Sequence, residues 1–374
     1  MTCPPPNPAH IRALDGIRGV AVVFVIWFHF RRAELPGGWI GMSIFFPLSG
    51  FLITRQLVIE RLRSGRISVS RFWVRRARRL LPALYVVLAL VGLIVLVGDR
   101  PAGGLVGDSV SSLLYVNNWW QLRHTVAYWQ QFSGRASPLE HLWSLSVEEQ
   151  FYIVWPIVVI CVLRIFRGSL AALKVVLACG CLAGAFYGVI LSRHGGADIT
   201  PVYYNTFVRT AELAAGSLLA VIMVTRKRRS PSTARARLGL EIIAVGCLIA
   251  LTFLALTLDR GTTGFVSNGG MFAAGLATCV LIAAAHQNGP VARTLSRAPL
   301  AWSGTRCYSL YLWHWPVFVF MTHRDTGLTG WWLTAVQVIV TVSAAVLSYW
   351  LIELPFRSRS IRIEPSVRVP AVVV

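Results

Sequence analysis

The groups best suited to chemistry stand in one apolar run, IRALDGIRGVAVVFVIWFHF, with Asp15 and Arg18 near its start and His29 near its end. Arg18 and His29 are eleven residues apart. On a continuous helix that spacing returns to within roughly 20° of the starting azimuth after about 16 Å of rise, which puts both on one face at different depths. A guanidinium suits a phosphate or carboxylate near the polar boundary, whereas a buried imidazole suits proton transfer or acyl capture. Polar groups in hydrocarbon are costly and persist where they face protein, water or a substrate. The bland alternative is that Arg18 snorkels to the headgroups and His29 caps the opposite interface.

Five more strings carry polar groups into apolar surroundings. In HLWSLSVEEQFYIVWP, His141, Ser144, Ser146, Glu148 and Glu149 gather at the level expected for His29. A carboxylate beside an imidazole fixes its tautomer and raises its basicity, so Glu148 or Glu149 is a candidate partner of His29. Ser146 with Glu149 three residues on also has the form of a helix capping box, a purely structural role. In GMSIFFPLSGFLIT, Pro47, Ser49 and Gly50 loosen a helix and permit close approach, either along a substrate path or at a packing kink. Arg209 and Glu212 are spaced to neutralise one another on a helix, either beside a substrate path or as a packing pair, and His314 falls mid-run between Trp313 and Trp315, where an imidazole points to a path lining. Glu353, beside basic loops, is expected in an ion pair.

These residues need membrane helices to hold them. The chain has 374 residues, 55% hydrophobic and 14% charged, with mean hydropathy +0.62, which excludes an ordinary soluble protein. We read an all-α polytopic membrane protein with ten spans, near 12–31, 38–57, 80–98, 147–166, 169–192, 202–225, 238–258, 265–285, 304–322 and 331–352. The net charge of +21 falls in short clusters between apolar runs. Positive-inside topology accounts for it without nucleic acid and puts both termini in the cytoplasm. On the helix entering the third span, Arg71, Arg75, Arg78 and Arg79 share a broad face suited either to a nucleotide diphosphate such as that of coenzyme A or to headgroup anchoring. Segment 107–141 breaks at Asn117 and Asn118 and is expected outside, as a half-span or an interfacial loop; its Trp119, Trp120, Tyr128 and Trp129 suit either sugar stacking or an aromatic belt. Seven cysteines show neither a disulfide framework nor metal-ligand spacing, and no bound metal or cofactor is expected.

Read in order, LDGIRG with its distal His29, FFPLSGFLIT, the arginine run to Pro82, HLWSLSVEEQFYIVWP, RTAELAAGSLLA, YSLYLWHWP and LIELPFR resemble the integral-membrane acyltransferase family 3 over about 11–357. The resemblance implies a ten-span inner-membrane O-acyltransferase that uses acyl-CoA, usually acetyl-CoA, as co-substrate, with Arg18 and His29 essential. It implies as acceptor an envelope glycan or a glycosylated small molecule such as a macrolide. We expect a short tail at 1–10, a membrane acyltransferase domain at 11–357, a short cytoplasmic tail at 358–374 and no appended soluble domain. A transporter or flippase of acyl groups or lipid-linked sugars, acting with a separate transferase, is the rival from another class.

Overall fold

The computed structural model describes residues 10–98, 104–124, 136–194, 198–226, 234–259 and 263–358. Tyr128, Trp129 and most of both tails lie outside them. Every regular element among the described residues is helical: α1 (Arg12–Phe30), α2 (Gly41–Ser64), α3 (Val69–Val97), α4 (Leu105–Leu113), α5 (Asn117–His124), α6 (Leu142–Ile165), α7 (Leu170–His194), α8 (Thr200–Tyr204), α9 (Thr206–Thr225), α10 (Ala234–Thr257), α11 (Thr263–Ser267), α12 (Gly270–Ala285), α13 (Pro290–Leu295), α14 (Ala298–Thr305), α15 (Cys307–Phe320), α16 (His323–Thr326), α17 (Gly330–Ser348) and α18 (Leu354–Ser358). Eight of the described helical segments are long and apolar enough to cross a membrane. Of the two remaining predicted spans, one corresponds to the shorter apolar helix α12, with 16 residues, and the other to α15, with 14. The protein is a multi-pass membrane protein.

The helices divide into an inner group and an outer one. In α1 and α2, 67% of the most apolar window is buried, against 17% in α10 and 22% in the segment beginning with α17. The outer helices show Ile242, Ile249, Phe253, Trp332 and Leu347 to their surroundings, as a lipid-facing surface requires. Inside, α2 crosses α9 at contact distance. A Cβ on Gly50 would lie 2.0 Å from the Leu213 carbonyl oxygen, and one on Gly216 would lie 1.8 Å from that of Pro47. Small residues at such a crossing let backbones meet, and Ser217 Oγ donates to the Gly50 carbonyl across it. Gly50 is therefore a packing residue of α2, on the face opposed to α9.

Two helix starts differ from the sequence expectation. Helix α3 starts at Val69, eleven residues before 80, because the arginine run is itself helical. Helix α6 starts at Leu142, so Ser146 and Glu149 lie inside it and form no capping box. The Ser146 hydroxyl instead donates to the Leu142 carbonyl and accepts the Asn117 backbone N–H. Between α3 and α6, α4 and α5 are too short to cross a bilayer. They pack onto α6 through buried Asn117 and Asn118, with Asn118 Nδ2 donating to the Tyr204 carbonyl and to Thr206 Oγ1.

Candidate active site

Helices α1, α2, α3, α6 and α15 surround a cavity of about 670 Å³. One end is cationic: Arg18 from α1 and Arg76 and Arg79 from α3 line it. Arg18 is held by Asp15, one turn back, at 3.2 Å and keeps 22% of its side chain accessible. Arg76 lies over the Tyr152 ring at 4.7 Å, a cation–π contact that fixes its direction. Across the cavity, Ser49 Oγ of α2 donates to Glu148 Oε1 of α6 at 2.6 Å. The structure thus brings Arg18, Ser49, Arg79 and Glu148 together from four helices. Arg71 and Arg75 are exposed, and neither they nor Arg78 line the cavity.

Arg76 was missed by sequence reasoning, although a signal for it exists. The buried stripe of α3 runs through Phe72, Leu80, Ala83, Leu84, Val87 and Val91. Four residues before Leu80, on that same stripe, stands Arg76. The stripe below an arginine run says which arginines face the core.

The far wall of the cavity includes Tyr311, and behind it lie three histidines. The Tyr311 hydroxyl donates to the His141 carbonyl at 2.6 Å and lies 2.6 Å from Ser144 Oγ. Its own carbonyl lies 2.6 Å from His314 Nδ1, and His314 Nε2 is 3.1 Å from His29 Nδ1. A carbonyl can only accept, so His314 carries its proton on Nδ1 and offers Nε2 as an acceptor. His29 then donates from Nδ1 in that contact. Trp315 packs edge-on against His29 with ring centroids 4.7 Å apart, limiting rotation of the imidazole. The partner that orients His29 is therefore a second histidine, not Glu148, which bonds to Ser49, nor Glu149. Glu149 is buried with Oε1 unpartnered, within electrostatic reach of Arg76 and Arg79.

His141 completes the cluster, its ring 5.6 Å from that of His314 and perpendicular to it. Both of its nitrogens are buried and neither makes a well-formed hydrogen bond. Among the described residues no three or more His, Cys, Asp or Glu side chains are disposed to hold a metal ion. Next to His141, Glu140 accepts from the Tyr204 hydroxyl at 3.1 Å. Burial pushes the Glu140 carboxyl up to about 8, with the charge of Asp108 adding to the rise, so it is largely protonated at neutral pH.

Arg209, Glu212 and Glu353 do not line the cavity. Arg209 is fully buried and bonded to Glu212, with Nη1 at 3.2 Å from each carboxylate oxygen. It touches the cavity only through Phe46, over whose ring it sits at 5.4 Å. Glu353 is buried in a π-helical turn and accepts from the Ser309 hydroxyl of α15, where an ion pair was expected.

A family model for the acyltransferase domain of family 3 matches residues 11–353. Among curated proteins, the putative peptidoglycan O-acetyltransferase YrhL of Bacillus subtilis is 38% identical over 94% of this chain and 56% of its own length. The peptidoglycan O-acetyltransferase OatA of Listeria monocytogenes is 35% identical over 93% of this chain and 56% of its own, and the O-acetyltransferase OatA of Staphylococcus aureus is 32% identical over 95% and 58%. The chain spans a little over half the length of these relatives. No solved structure matches.

Proposed function

The chain belongs to acyltransferase family 3, and on that premise we propose that it moves an acyl group, in the first instance acetyl, from acyl-CoA to a hydroxyl of a peptidoglycan glycan. The observation that carries this reading is the arginine-lined cavity whose wall residue Tyr311 bonds through its carbonyl to His314, which in turn meets His29. Arg18, Arg76 and Arg79 would hold the phosphates of coenzyme A, which approaches from the cytoplasm if the arginine-bearing ends and both termini lie there. The names of the relatives in Bacillus and Listeria support peptidoglycan as the acceptor, in preference to a glycosylated small molecule.

In the proposed step His29 Nε2 takes the proton of the acceptor hydroxyl as its oxygen bonds to the thioester carbonyl carbon. The C–S bond then breaks, and the departing coenzyme A thiolate takes the proton from His29. His314 holds His29 in the required tautomer through the Tyr311 carbonyl. General-base removal typically costs about 10² to 10⁴ in rate. We therefore expect His29→Ala, reconstituted in nanodiscs with labelled acetyl-CoA and soluble peptidoglycan fragments, to lose transfer by that factor while melting like the wild type. Retained turnover would remove His29 from the mechanism. Acetyl-CoA binding by wild type without transfer to any glycan or glycosylated metabolite would favour the transporter reading.

A further inference from the structure

A second hollow, of about 820 Å³, opens between the turn joining α2 to α3 and the turn joining α6 to α7. It shares no residue with the cavity above. Its walls carry four guanidinium groups, those of Arg61, Arg66, Arg164 and Arg167, and no carboxylate. Arginines at helix C-termini commonly complement the helix dipole and the headgroup layer, and that alone would need no pocket. Here the backbone is bent to make one. Arg167 holds φ at 49° and Gly168 follows at 84°, two consecutive left-handed residues of which the first bears a side chain that disfavours the conformation. The Gly168 position is open toward α2, whose Arg61 brings Nη2 to 3.9 Å from where a Cβ would stand. The lining also includes the apolar side chains of Ile67, Ile160 and Leu163.

Four like charges around one hollow repel one another unless an anion sits between them, and planar guanidinium forks match phosphate oxygens in pairs. Coenzyme A and a phospholipid both offer phosphate. The apolar part of the lining favours the lipid, because it would take the upper part of an acyl chain. We propose that this hollow binds the headgroup phosphate of an anionic phospholipid, independently of the acyl-transfer reading. The lipid would tie the last turn of α2, the helix of Ser49, to the last turn of α6, the helix of Glu148.

The test titrates the purified full chain with phosphatidylglycerol by native mass spectrometry, and separately with acetyl-CoA by calorimetry. It compares wild type with Arg164→Gln/Arg167→Gln and with Arg293→Gln/Arg297→Gln, which removes equal charge from exposed positions elsewhere. Phosphatidylglycerol should bind the first variant at least about tenfold more weakly, the second like wild type, and acetyl-CoA all three alike. Arg167→Gly relieves the strained backbone and removes a single guanidinium; it should fold at least as stably and still hold the lipid less tightly. Equal lipid binding by both double variants would reduce the hollow to general surface attraction and overturn the proposal. Loss of acetyl-CoA affinity at Arg164 and Arg167, with or without loss of lipid, would overturn it in favour of the co-substrate.

Discussion

Two arginine and glutamate groupings sit inside this bundle, and they differ in what surrounds them. Arg209 and Glu212 are sealed, with side chains 0% and 2% exposed. The guanidinium donates to the Tyr203 carbonyl, to Ser43 Oγ and to both Glu212 oxygens, and it lies 4.4 Å over the Tyr203 ring. Arg18, Arg76, Arg79 and Glu148 line a cavity instead, with donors and acceptors left facing the space. The cost of placing a charge in a membrane protein is met in the first case largely by other residues of the chain, with Arg209 Nη2 left buried without a hydrogen-bond partner. In the second it is met in part by whatever enters, which is the difference between a lock and a binding site.

Arg209→Ala tests that contrast with the largest effect. It leaves the Glu212 carboxylate buried without its partner, and breaking a buried pair in this way costs about 3 to 5 kcal/mol. We expect the variant to unfold at markedly lower temperature or denaturant in detergent, with acetyl-CoA affinity of the remaining folded fraction unchanged. Full stability with lost transfer would put Arg209 and Glu212 on the substrate path after all.

His314→Ala addresses the other end of the cavity. His314 contributes an acceptor to His29 Nδ1, so its removal should lower kcat about tenfold to a hundredfold while the KM for acetyl-CoA stays in place. Glutamine at that position can still accept through its side-chain oxygen. His314→Gln should therefore recover part of the loss, which a purely structural histidine would not predict.

Much of this architecture was legible in the chain because hydrocarbon imposes simple rules. The apolar runs located the helices, and Arg18, His29, Glu148 and His314 stood out as groups that need a reason to be there. The rest depended on azimuth between helices, which spacing on a single helix does not determine. Glu148 was expected near His29, yet α6 turns it toward Ser49, while α15 supplies the imidazole that His29 meets. Gly50 and Ser49 are neighbours in sequence, but 100° of rotation sends one against α9 and the other into the cavity. Tyr311 was invisible as a single tyrosine among aromatics; its hydroxyl and carbonyl matter only because α6 and His314 lie on either side of it.

Ser49→Ala should have the smallest effect, and its smallness is the point of the comparison. The substitution removes the 2.6 Å donor to Glu148 and leaves the carboxylate beside a cavity that water can enter, with Arg76 and Arg18 within electrostatic reach. A lost hydrogen bond whose acceptor can be resolvated costs about 1 kcal/mol, roughly fivefold in kcat/KM, with little change in melting temperature. The same type of deletion at Ser43, which accepts from Arg209 in the sealed grouping, removes a buried contact that water does not replace, so it should lower the melting temperature and spare kcat/KM. If Ser49→Ala instead destabilises the fold as strongly as Ser43→Ala, the cavity is as closed as the Arg209 site. Its arginines would then be structural charges, and entry of the phosphates of coenzyme A there would have to be abandoned.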